Sequence, residues 1–163
     1  MTVELAESDL AEITNSGPAK TVYDWMKSRN LFVRALKSED ATFNFEGITE
    51  TQVGFMITQP CKIPRSIVVV ANLEIMPNHV KAMAELVPHE RENILWDLKK
   101  ELIFAPATFF MSPDMNNPKR IQFAKEVSFD ELTEGRLLDA MDAVCRSTIW
   151  TIWKLIRIFG PVR

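Results

Sequence analysis

Two histidines, His79 and His89, stand among 163 residues, and their setting argues against a metal. A structural zinc takes four protein ligands and a catalytic one three. Here the pair lies ten residues apart, with no HExxH spacing and no cysteine nearby, so a surface or helix-capping role is expected for both. Cys61 and Cys145 are the only thiols and form no CxxC pair; both read as buried, reduced, small hydrophobes. Cys145 falls mid-helix on an apolar face, a poor place for a nucleophile. Asp97 and Glu101 are one helical turn apart, as are Asp139 and Asp142. Paired carboxylates can do acid–base work, but Lys99, Lys100 and Arg146 stand beside them, the pattern of a solvated helix face. The five glycines (Gly17, Gly47, Gly54, Gly135 and Gly160) are scattered, so no phosphate cradle forms, and there is no GxSxG elbow. The expected complement of catalytic, cofactor-binding and metal-ligating residues is therefore none, and no cofactor is expected.

What remains is a question of surfaces and of the elements that carry them. Hydrophobic residues make up 47% of the chain and charged residues 25%, ordinary usage for one globular domain of this length. The net charge of -3 is concentrated at one end, because residues 1–17 carry Glu4, Glu7, Asp9 and Glu12 with no Lys or Arg. The near-neutral remainder lacks the basic face that nucleic acid demands, which sets nucleic acid aside as a partner. An acidic start without an apolar run is not a signal peptide, and no stretch approaches the roughly 20 apolar residues of a membrane span. A cytoplasmic protein is expected. It divides into an acidic lead-in, 1–17, free to be flexible or to dock a short helix through Leu10 and Ile13, and a single domain, 18–163.

Periodicity orders that domain. Pro18 opens an amphipathic helix over 18–30 carrying Val22, Trp25 and Met26. Strands follow at 31–37 and 41–47, the second alternating Phe43 and Phe45 with Asn44 and Glu46. The segments 53–57 and 66–75 are apolar on both faces, as strands covered on both sides are. Pro77 and Pro88 then open helices over 78–86 and 89–105. Strands at 107–112 and 120–129 come next, and Lys125 interrupts the apolar face of the latter, a device that protects an edge strand. Thr133 caps a last helix over 135–159, stopped by Gly160-Pro161. The expected fold is α+β: a twisted antiparallel sheet of five to six strands packed with helices, in the order α-β-β-β-β-α-α-β-β-α.

The last helix carries more apolar surface than one sheet face covers. Leu137, Leu138, Met141, Val144 and Cys145 face inward in its first half. In its second half Ile149, Ile152, Trp153, Leu155, Ile156 and Phe159 spread over an arc of roughly 160°, against the ~100° a surface helix needs. Trp150 and Ile158 fall outside even that arc. Three readings compete: a helix sandwiched within its own domain, a homodimer interface, and peripheral membrane contact rimmed by Lys154, Arg157 and Arg163. Membrane contact ranks last. Trp150, Trp153, Ile158 and Leu155 are the candidate partner or dimer residues. The alternative is a small-molecule enzyme or sensor with a pocket between sheet and helices, lined by Trp96, Asp97 and Arg146.

The order of elements, with the Leu-Trp-Asp-Leu run at Leu95–Leu98 and the Ile-Trp-Lys-Leu run at Ile152–Leu155, resembles an uncharacterised, largely archaeal family over about residues 18–159. The layout also resembles the fold of type III secretion chaperones and of the bacterial sensory-transduction regulators that share it. That resemblance implies a dimer that binds other polypeptides, and it brings no catalytic motif. The protein is therefore expected to be a non-catalytic protein-binding or regulatory domain.

Overall fold

The computed structural model describes residues 3–161; Met1, Thr2, Val162 and Arg163 lie outside the described residues. In chain order the elements are β1 (Val3–Glu4), α1 (Glu7–Ile13), α2 (Gly17–Ser28), β2 (Phe32–Lys37), β3 (Ala41–Ile48), β4 (Gly54–Pro60), β5 (Ser66–Glu74), α3 (Pro77–Glu85), α4 (Pro88–Ile103), β6 (Thr108–Ser112), β7 (Arg120–Ser128) and α5 (Glu134–Phe159). From α2 onward this is the expected order. Proline sits in the first turn of α2, α3 and α4, where its missing N–H deprives the helix of nothing. Thr133 caps α5, its hydroxyl accepting from the Arg136 N–H at 3.2 Å. Gly160 ends α5 at φ +86°, a conformation costly for any residue with a Cβ.

The strands form one antiparallel sheet in the order β1-β2-β3-β4-β5-β7-β6. The seventh strand is β1, a two-residue addition from the acidic lead-in that sets Glu4 opposite Leu36. Leu10 and Ile13 of α1 pack against the core. Gly47 stands opposite Phe55, whose ring occupies the space a Cβ would take; that Cβ would also stand only 2.8 Å from the Leu31 carbonyl oxygen.

One face of the sheet builds the core. Phe43, Phe45, Ile57, Val69, Ile121 and Phe123 point to it and meet Val22, Met26, Leu98, Leu102, Leu137 and Val144 from the helices. Met56, Val68 and Val70 point the other way and lie outside that cluster. The apolar character of β4 and β5 on both faces thus does not correspond to cover on both sides: the helices take one face and leave the second open. Lys125 also needs correction, since β7 lies between β5 and β6. It falls one residue beyond Ala124, the last β7 residue paired with β6, and its ammonium donates to the Pro106 carbonyl at 3.2 Å. It guards a local gap beside an internal strand.

Candidate functional site

Helix geometry decides which face of α5 meets the sheet. Leu155 lies 18 residues after Leu137, five full turns, and so returns to the same direction. Both are buried, with Leu155 4% exposed. Leu155 is thereby removed from the candidate partner surface. Between them the buried positions of the second half are Ser147, Thr148 and Thr151. Each hydroxyl donates to the carbonyl one turn back, to Ala143, Val144 and Ser147 at 2.8, 2.8 and 2.7 Å. A self-satisfied hydroxyl is cheap to bury, and small side chains fit beneath the helix. The isoleucines are displaced accordingly. Ile149, Ile152 and Ile156 lie half-buried along the flank of α5, and Trp153 points outward with 68% of its surface exposed.

Trp150 does have a home within the domain. It packs against the edge of the core and forms one wall of a groove of about 520 Å³ between the C-terminal end of α4 and the middle of α5. Phe104, Pro106 and Ser147 line the groove too, with Glu101 and Arg146 at its polar rim. Lys154 holds the two helices in register. Its Nζ donates to Glu101 at 2.6 Å and stands 5.8 Å from the centre of the Trp150 ring, within cation–π range. Arg146 is fixed by Asp142 through two contacts of 2.8 and 2.7 Å. Phe104, the residue that ends α4, is 88% exposed, and Ile103 before it is also exposed. Ile158 is half-buried near the far end of α5.

The three residues of the alternative pocket are not brought together. Arg146 lines the groove, whereas Trp96 lines a separate depression with Glu92, Lys99 and Asn116. Asp97 is exposed and pairs with Lys100 at 2.8 Å; that hydrogen bond and charge hold its carboxyl below the usual range. The thiols differ from each other. Cys61 is exposed, contrary to expectation, because it sits in the β4–β5 connection; Cys145 is buried. Burial, assisted by Asp142, pushes the Cys145 thiol up to about 11, which leaves it protonated near neutrality. His79 is buried rather than on the surface, and its Nε2–H donates to the Gly160 carbonyl at 2.9 Å, fastening the end of α5 to α3. Among the described residues no three His, Cys, Asp or Glu side chains are grouped to hold a metal ion, and no helix is long and apolar enough to cross a membrane.

Phe104 is the residue the sequence reading missed. It lies nine residues after Leu95, half a turn from the buried stripe of Leu95, Leu98 and Leu102, so helical spacing alone turns it outward.

Residues 18–155 match the family described as Uncharacterized conserved protein (DUF2299). The chain belongs to this family. The crystal structure of an uncharacterized protein from Methanothermobacter thermautotrophicus is similar, with a TM-score of 0.81 at 19% identity, over 86% of this chain and 98% of that one. At this identity the likeness establishes a shared fold. A chain of the HopA1–SchA chaperone–effector complex aligns with a TM-score of 0.47 at 11% identity, over 96% and 98% of the two chains. YbjN from E. coli aligns with a TM-score of 0.46 at 14% identity, over 86% and 90%. No curated protein matches the sequence.

Proposed function

We propose that this member of DUF2299 is a non-catalytic protein-binding domain of the cytoplasm that works as a homodimer. The observation that carries the reading is the outward apolar flank of α5. Trp153 is exposed with Ile149, Ile152 and Ile156 half-buried beside it, the last two partly covered by Leu73, Ile75 and His79, and Phe104 is exposed at the mouth of the adjacent groove. Aromatic side chains with this exposure serve as anchors when a partner covers them. Arg146 and Glu101 at the groove rim supply the polar edge that an interface core normally has. A second copy is the first occupant of the α5 flank, and the groove is left to receive an apolar side chain of a polypeptide. The buried Cys145 thiol, the exposed Asp97–Lys100 pair and the separation of Trp96 from Arg146 supply no convergent catalytic group.

Multi-angle light scattering on the wild type and on Trp153→Glu tests the reading. A dimer that the substitution converts to monomer supports it. A wild type that stays monomeric at high concentration, or a dimer indifferent to Trp153→Glu, overturns the assignment of this surface.

A further inference from the structure

One edge of the sheet is held by the chain's own acidic lead-in. Val3 pairs with Lys37 and Glu4 with Leu36, the Leu5 N–H donates to the Ala35 carbonyl at 3.0 Å, and α1 follows. This strap uses half of the strand it covers. β2 runs from Phe32 to Lys37, and only Ala35, Leu36 and Lys37 are engaged by it. Phe32, Val33 and Arg34 continue the same edge beyond it, and Val33 is 52% exposed.

The strap is weakly built. α1 has seven residues, none of them buried, and Ala6 gives its first turn no side-chain cap. A helix this short does not stand without tertiary contacts, and those are partial: Leu5, Leu10 and Ile13 are only half-buried against the core. Segments with few buried apolar contacts open locally while the rest of the fold stays intact. Opening frees the outward N–H and C=O groups of β2, a template on which a further strand adds. Beside that edge is a recess of about 370 Å³, walled on the domain side by Leu36, Ala41, Thr42 and Phe43 and on the other by Leu5 and Ile13. Charge marks the occupant. β2 carries Arg34 and Lys37 with no acid, and the strap carries Glu4, Glu7, Asp9 and Glu12 with no base. Arg34, which also donates to Glu46, stands 3.9 Å from Glu4, and Lys37 lines the recess with Asp9 and Glu12.

We infer that the β2 edge is a docking site for an extended acidic segment of another protein, and that residues 3–13 are its resident occupant, displaced when that partner binds. The incoming strand runs antiparallel to β2, reaches past Ala35 toward Phe32 and sets an apolar side chain in the recess. Its carboxylates take the places of Glu4, Asp9 and Glu12 beside Arg34 and Lys37. Pairing along the whole of β2, where the strap engages half, offsets the strap's benefit of being tethered. The inference rests on the proposal that this chain is a protein-binding domain, but at a separate place: β2 lies three strands from β5, which α5 covers.

The test uses the full chain and a fluorescein-labelled synthetic peptide with the sequence of residues 3–14, read by fluorescence anisotropy. In the double variant Leu10→Ser, Ile13→Ser the strap loses its hold, and the peptide binds about tenfold or more tightly than to the wild type, whose site is open only for a fraction of the time. Adding Lys37→Glu to that variant, converting the four carboxylates of the peptide to amides, or raising the salt concentration weakens binding again. Trp153→Glu leaves the peptide affinity unchanged, so failure at the α5 flank and failure at this edge are told apart. Amide exchange on the 15N-labelled wild type decides the matter even if the double variant does not fold: the Leu5 N–H exchanges about a hundredfold or more faster than those of Ile57 and Val69. The inference is overturned by a released variant that binds no peptide saturably, by equal binding to the wild type, by an amidated peptide that binds as well, or by a Leu5 amide as slow as the core. A released variant of twice the wild-type mass in light scattering overturns the foreign partner and gives the edge to a second copy.

Discussion

Along its first three turns α5 buries Leu137, Met141, Val144 and Cys145; along the next turns it buries Ser147, Thr148 and Thr151 before Leu155 returns to the core. Both stretches lie over the same sheet, chiefly β5 and β7, so the difference is one of side-chain choice. In the first stretch the large apolar residues fill the interior. In the second, small hydroxyl-bearing residues take the interior positions, and the large apolar residues are turned to the flank. Of these only Trp153 is largely exposed; Ile149 and Ile152 are half-buried, and Ile152 closes a small recess against Leu73, Ile75 and His79. It is Trp153 that the proposed self-association rests on.

The comparison can be broken first at the core end. Leu137→Ala removes a side chain with 1% exposure and should cost about 2–5 kcal/mol in denaturant unfolding; a cost below 1 kcal/mol, in the range of a surface change, would show that the first half is not the better packed. Thr151, with no exposed surface, tests the hydroxyl-lined half. Enlarging it by Thr151→Leu should cost about 1–3 kcal/mol through overpacking, and a neutral result would mean that space remains under the helix. Trp153→Glu should leave stability within about 0.5 kcal/mol of the wild type while abolishing self-association in light scattering. The thiols give the finest distinction. At pH 8 iodoacetamide should modify Cys61 and spare Cys145 until the chain is unfolded. The Cys145 thiol ionises near 9.0 when free and at about 11 in the fold, so between these values the unfolded chain holds fewer protons than the native one. Its contribution to stability should therefore fall as pH rises through that window, and Cys145→Ala should flatten the alkaline slope.

The element order was legible because its punctuation is local. Pro18, Pro77 and Pro88 open helices, Thr133 caps one and Gly160 closes it, whatever the rest of the chain does. The direction of α5 was less legible. A helical wheel gives the angles between residues but not which angle faces the sheet, and counting apolar residues pulled the inferred face toward Ile152 and Trp153, away from Ser147 and Thr151. The sheet failed to declare itself in a similar way. Met56, Val68 and Val70 read as residues awaiting cover, yet among the described residues they stay outside the cluster that the helices build on the other face. Asn44, alternating with Phe43 and Phe45, looked like a wet-face residue. Its burial depends on neighbours from β2 and β4, which no local pattern reveals. The thiols follow the same rule: Cys145 inherits burial from a helix face visible in the sequence, whereas Cys61 depends on a turn.

All four tryptophans, Trp25, Trp96, Trp150 and Trp153, belong to helices, and the sheet carries none. Intrinsic fluorescence is thus a reporter of one side of the molecule. A chain docking on the α5 flank should shift the emission of water-exposed Trp153 to the blue, while a contact confined to the opposite sheet face, over Met56 and Val70, should leave the spectrum unchanged. The protein comes with a built-in optical label for one of its two surfaces, and the other is left dark.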